Sequence, residues 1–133
     1  MKILKIFFLA GISILFFLQT SCQHEPELIP GTTEVCFDSQ VMLIINSNCN
    51  MAGCHVNGSG ELPALNTYED ISRLVTPGKP MKSKLHEVIT ANPNSKKFMP
   101  PKPKQALTSS QIDVISLWIL QGAKNTICGK AKL

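Results

Sequence analysis

The chain has 133 residues, 44% of them apolar, and a formal charge of +4. Fourteen of the apolar residues and four of the six phenylalanines fall within residues 1–21, so the rest of the chain carries only Phe37, Tyr68, Phe98 and Trp118 as aromatics. That composition excludes multi-domain enzymes, large α/β folds and polytopic membrane proteins, and leaves one small domain whose thin core needs a disulfide, a metal or a bound cofactor.

Lys2 and Lys5 precede an apolar run over residues 6–18, interrupted only by Gly11 and Ser13. A run this short suits the h-region of a secretory signal, whereas a membrane span needs about twenty residues. It closes on Leu18-Gln19-Thr20-Ser21-Cys22, which resembles a bacterial lipobox with Gln19 where leucine is preferred. The expectation is a signal peptide over 1–21 and a lipidated Cys22 whose acyl chains hold the exported protein to a membrane, facing the periplasm or the outer surface. An ordinary signal peptide cut nearby would leave Cys22 free. Residues 22–34 hold prolines, a glycine and three glutamates without apolar periodicity, and read as a flexible, lipid-anchored linker. The folded domain is then 35–133.

The domain reads as short helices around loops. Asp38 is placed to cap a helix over 38–48, with Val41, Met42, Ile44 and Ile45 as its apolar stripe. Thr67 opens a helix through Leu74, with Asp70 reaching back to the cap. A turn at 76–80 leads to a helix capped by Ser83 and running through Ile89. Residues 91–106 contain four prolines and no periodicity, so they form a long loop. Thr108 and Gln111 make a capping box for a last helix to about Gln121, with Ile112, Ile115, Trp118 and Ile119 buried and Gly122 as the stop. No segment alternates with period two, and no internal repeat is present. The predicted class is all-α.

The chemistry-bearing segment is Cys49-Asn50-Met51-Ala52-Gly53-Cys54-His55. A histidine directly after a cysteine, with another cysteine upstream, is the attachment pattern of c-type haem. Both thiols can add to porphyrin vinyl groups as thioethers, and the histidine can then reach the iron. The usual spacing between the cysteines is two residues; here it is four, with Gly53 easing the extra bend. Two other readings share these residues. C-x4-C lies within zinc-ligand spacing, with His55 or His86 as further donors, although thiols in an exported chain tend to oxidise. A Cys49–Cys54 disulfide beside a surface histidine is the other.

Three segments carry a family resemblance: VCFDSQVMLIINSNCNMAGCH at 35–55, KFMPP at 97–101 and LTSSQIDVISLWILQGA at 107–123. In that order and over 35–127, the chain resembles the single-haem, class I type cytochrome c domains of bacterial lipoproteins. The resemblance implies one covalent haem c per chain, a helix before the haem motif that crosses the C-terminal helix, thioethers at Cys49 and Cys54, and His55 as proximal iron ligand. It also implies a methionine from the intervening loop as the distal ligand, and Met99, followed by prolines, matches. Among the other methionines, Met42 lies in a helix stripe, Met51 within the attachment loop and Met81 after a turn. His86 is the rival distal ligand, because bis-histidine ligation is common chemistry, but beside Leu85 and Val88 it reads as a half-buried surface residue.

The implied function is electron transfer, shuttling single electrons between redox partners rather than enzyme catalysis, since two protein ligands leave iron no open position. An enzyme or sensor would need Met99 to leave, and Arg73 is the only arginine from which a peroxidase-like distal site could be built. A structural or interaction role for the haem within a surface lipoprotein complex is the third class. Lipid on Cys22 and haem on two thiols leave Cys36 and Cys128, which crossed terminal helices would bring together as a disulfide; otherwise both are free thiols. Charge is divided along the chain: residues 22–72 hold seven acids and no lysine or arginine, whereas residues 73–133 hold eleven bases against Glu87 and Asp113. Lys79, Lys82, Lys84, Lys96, Lys97, Lys102 and Lys104 bracket Met99, which leaves two readings: a docking rim at 79–104 for an acidic redox protein, and no nucleic acid, or lysines that simply keep a proline-rich loop soluble.

Overall fold

The computed structural model describes residues 33–56, 58 and 62–128. The signal peptide, Cys22 and the linker through residue 32 lie outside the described residues. Every element described is helical, as expected of an all-α domain, and among the described residues no helix is long and apolar enough to cross a membrane. A π-helical turn, Phe37–Val41, runs directly into α1, Met42–Asn48; α2 spans Tyr68–Ser72, a 3-10 turn Pro80–Lys82, α3 Lys84–Ile89 and α4 Ser109–Leu120.

Two helix starts follow the sequence closely. At α2, Thr67 Oγ1 accepts from the Asp70 N–H at 3.2 Å and Asp70 Oδ2 accepts from the Thr67 N–H at 3.1 Å. At α4, Thr108 and Gln111 exchange the same pair of bonds, at 3.2 and 2.9 Å. Each box satisfies two amides that a helix end leaves unpaired. Gly122 follows α4 at a φ of +96°, a conformation that suits glycine at a helix stop.

Two other starts differ from expectation. Asp38 is no cap: the winding begins at Phe37 behind Cys36, and Asp38 Oδ1 accepts from the Cys128 N–H at 3.1 Å. The first amides of that turn go to the C-terminal segment, Phe37 N–H to Thr126 Oγ1 at 2.9 Å and Asp38 N–H to the Thr126 carbonyl at 3.1 Å. Ser83 does precede α3, but its hydroxyl does not cap it. Ser83 Oγ accepts from the Thr76 N–H at 2.9 Å and donates to the Lys79 carbonyl at 2.9 Å, tying down the preceding turn instead. The 91–106 segment is free of helix, as its prolines require.

Phe37 is the centre of the packing. Its ring meets Tyr68 edge-on at 5.1 Å between centroids and Trp118 at 5.4 Å. The two polar tips are satisfied by the last stretch of chain: Tyr68 Oη donates to the Ala123 carbonyl at 3.0 Å, and Trp118 Nε1 to the Lys124 carbonyl at 2.9 Å. Val41, Ile44 and Ile45 from the first helical segment, Ile71 from α2, Leu85 and Ile89 from α3, and Ile115 and Ile119 from α4 are buried in the same cluster, with Met42 and Ile112 partly buried against it. A Cys36–Cys128 disulfide closes this end of the domain, with Cα atoms 5.6 Å apart. Val35 N–H also donates to Gln121 Oε1 at 2.8 Å, so the two ends of the fold are clasped by several bonds at once.

Because the bridge spans 92 residues of sequence, its loss frees a long loop in the unfolded chain. Replacing Cys36 and Cys128 together by serine should lower stability in urea unfolding by up to about 4–5 kcal/mol. Non-reducing peptide mapping of the unaltered protein should recover the two segments joined; both thiols alkylating without reductant would contradict the bridge.

Candidate haem site

The attachment segment starts where α1 ends. Cys49 is the helix C-cap, its N–H donating to the Ile45 carbonyl at 2.8 Å, and it is buried. The chain then doubles back, with Cys54 N–H to the Met51 carbonyl at 2.9 Å and His55 N–H to the Cys49 carbonyl at 3.3 Å. Gly53, at a φ of +77°, takes the left-handed position that this extra length requires. Asn50 Nδ2 lies 3.2 Å from the Leu65 carbonyl and 2.9 Å from Asn66 Oδ1, stapling the start of the loop to the chain beyond it. Four residues between the cysteines are therefore absorbed as a compact turn, and His55 returns to the backbone of Cys49.

His55 is oriented by one contact. Its Nδ1 lies 2.7 Å from the Pro63 carbonyl oxygen, while its own carbonyl accepts from the Leu65 N–H at 3.1 Å. A carbonyl oxygen can only accept, so Nδ1 carries a proton, and in the neutral ring Nε2 keeps the lone pair. Metal-bound histidines have this arrangement as a rule, because the second-shell acceptor fixes both tautomer and ring direction.

Two adjoining, almost wholly apolar clefts open onto these residues. Cys49, His55, Leu62 and Met99 line both. Met51, Cys54, Pro100, Pro101 and Lys104 belong to the first, and Leu65, Leu74, Lys84, Leu85 and Val88 to the second. The loop carrying Met99 is held against α3 by a bond from the Met99 N–H to the Val88 carbonyl at 3.0 Å. The peptide bonds Met99–Pro100 and Lys102–Pro103 are both cis.

The remaining methionines are accounted for. Met42 packs on the core, Met81 is 84% exposed, and Met51 lines only the first cleft, with Sδ 4.0 Å from Lys104 Nζ. His86 is buried rather than half-exposed, and it lines neither cleft. Its burial follows from its place on α3 between Leu85 and Ile89, both buried.

The donor set fits a covalently held haem. Cys49 and Cys54 are free thiols, not bridged to each other. Among the described residues, no three histidine, cysteine or acidic side chains converge to hold a metal ion, so the zinc reading finds no third ligand there. Burial pushes the Cys49 thiol up to about 11, and the nearby Cys54 adds to the shift, so Cys49 is protonated at neutral pH. Cys49 and Cys54 would hold such a group as thioethers, each S–H adding across a vinyl double bond with its hydrogen going to the neighbouring carbon and no oxidant needed. Imidazole nitrogen and thioether sulfur are both established ligands of haem iron.

Sequence reading missed the Pro63 carbonyl and the Asn50 staple. The first is a backbone atom that any residue type could supply, and the second depends on chain fifteen residues away. Compared with known proteins, the chain matches no family model, no curated protein and no solved structure.

In the haem-free chain, the thiolate is the reactive form of cysteine. Alkylation at pH 8 should therefore label the half-buried Cys54 well before the buried, protonated Cys49, and Cys49 labelling should accelerate as pH rises toward about 11. Mass-mapped labelling against time and pH would show it; equal rates at pH 8 would contradict it.

Proposed function

We propose that residues 35–133 form a single-haem cytochrome c domain acting as an electron carrier, not an enzyme. The observation that carries this reading is the convergence of two free thiols, His55 with its Nε2 lone pair free, and Met99 on one apolar cleft system. Cys49 and Cys54 would hold the haem c as thioethers, His55 would supply the proximal iron ligand and Met99 the distal one. The bound haem supplies a one-electron ferric/ferrous couple. The protein's part is to retain it, keep water from it and set its potential, which a methionine ligand raises relative to a second histidine. Packing of the Phe37–Val41 turn on α4 supports the crossed terminal helices of this domain type. With its signal peptide and lipidated Cys22, the carrier would be exported and held at a membrane, where it exchanges electrons with partner proteins.

The partner side rests on charge. All seven lysines between 79 and 104 are exposed, and Lys84 and Lys104 stand on the walls of the two clefts. An acidic redox protein would be steered to the edge where the haem is reached.

Made with a cytochrome c maturation system, the protein should gain one haem in mass that survives acid–organic extraction. Extractable haem, or zinc in its place, would overturn the reading. His55→Ala or Cys54→Ala should damage haem retention more than Cys49→Ala, which leaves one thioether. Met99→Ala should abolish the methionine–iron charge-transfer band, lower the midpoint potential and open the iron to carbon monoxide; His86→Ala should do none of these.

Reversing charge at Lys96, Lys97 and Lys102 should slow electron transfer with an acidic partner without changing the haem spectrum. The rate of the unaltered protein should fall steeply with added salt. Stopped-flow measurements from low to high ionic strength check both; a rate indifferent to salt and to these substitutions would contradict the docking surface.

A further inference from the structure

The second cleft has one feature that a purely apolar haem pocket would not need. Lys84 stands on its wall among Leu65, Leu74, Leu85 and Val88, and it is the one lysine, arginine or acidic side chain there among the described residues. Lys84 Nζ pairs with Glu87 Oε2 at 3.0 Å, and Lys97 Nζ approaches Glu87 Oε1 at 3.4 Å. One carboxylate therefore serves two ammonium groups, leaving one positive charge in excess. Hydrogen bonds from Lys84 and then Lys97 hold the Glu87 carboxyl below its usual range, so it stays ionised and the excess is real.

Haem chemistry supplies what this charge lacks. The vinyl groups that take the thioethers lie on one half of the macrocycle, and the two propionates lie on the opposite half. Cys54 lines only the first cleft and Lys84 only the second, with Cys49 common to both. With the vinyl half held at Cys49 and Cys54, the propionate half would lie toward Lys84, where an anion against an aliphatic wall would be costly without a cation. We propose that Lys84 is the counter-charge for a haem propionate, leaving Glu87 to Lys97 when the haem is bound. Lys84 is half exposed on a flexible stem, so the exchange asks for a change of its rotamer and no movement of α3. The assignment rests on the haem reading of the site.

The test uses the haem-loaded protein with Lys84→Gln, Lys84→Arg and Lys104→Gln, the last removing equal charge from the other cleft. Pyridine haemochrome assay reads haem content first. NMR titration of the propionate methylenes should then show one propionate pKa raised by about one unit in Lys84→Gln. Lys84→Arg should restore it, and Lys104→Gln should leave it near its original value. The midpoint potential at neutral pH should fall in Lys84→Gln more than in Lys104→Gln, because an uncompensated propionate favours ferric iron. Unchanged propionate titration in Lys84→Gln, or equal shifts in Lys84→Gln and Lys104→Gln, would overturn the Lys84 assignment while leaving the haem reading intact. No covalent haem in the unaltered protein would overturn both.

Discussion

The rest of this domain depends on where its few aromatic side chains are placed. Phe37, Tyr68 and Trp118 gather at the end of the fold where the Cys36–Cys128 bridge and the Thr126 bonds clasp the two ends of the described chain. Phe98 is buried outside the main cluster. No phenylalanine, tyrosine or tryptophan lines either cleft among the described residues; the apolar part of the walls is leucine, isoleucine, valine, methionine and proline. A domain with so little large apolar mass closes tightly around Phe37 and leaves apolar side chains lining two open clefts. A flat apolar macrocycle is the kind of body that would complete such a core, and covalent attachment would make its retention independent of affinity.

His55 shows how a departure from the common motif is accommodated. Two additional residues between the cysteines would displace the histidine if the loop simply bulged. Instead, the Cys54–Met51 bond and the left-handed Gly53 take up the length, and the His55 N–H lands on the Cys49 carbonyl. What fixes the ring itself comes from beyond the motif, at the Pro63 carbonyl. The motif brings the histidine to the cleft, and the chain after it sets which nitrogen is offered. Variation in loop length need not alter the chemistry while those two sets of contacts persist.

Much of the fold was legible because it is local. Both capping boxes involve residues three apart, and their bonds form as the helices form. The apolar stripe of α4 is likewise a property of its own sequence, and Ile115, Trp118 and Ile119 are buried as that periodicity requires. The expectations that differed are those where a remote partner outbids a local one. Asp38 has the side chain of a cap but serves the Cys128 amide, ninety positions away. Ser83 sits at the cap position of α3 but is drawn back to Thr76 and Lys79. His86 lies on the packed face of a short helix, whose burial is set by neighbouring elements rather than by the helix itself. For the site, residue types announced the thiols, the histidine and the methionine, whereas backbone acceptors such as Pro63 are invisible in a residue alphabet.

The charge division gains meaning from the pairs that the lysines do and do not make. Glu87 takes up Lys84 and Lys97, and Lys102 reaches only the neutral Asn94 Oδ1, at 2.9 Å. These contacts are on exposed side chains, where an ion pair contributes little to stability and is screened by salt. Stability therefore gives no reason to gather seven lysines around one loop with a single acid between 79 and 104. Solubility would be served as well by mixed charges, which also avoid self-repulsion. A field of one sign is useful where something of the opposite sign must arrive at a particular edge, because attraction over about a Debye length orients a partner before contact. Four of those lysines, Lys96, Lys97, Lys102 and Lys104, are on the loop that brings Met99 to both clefts, so part of the positive field and the proposed route to the iron coincide on one segment of chain.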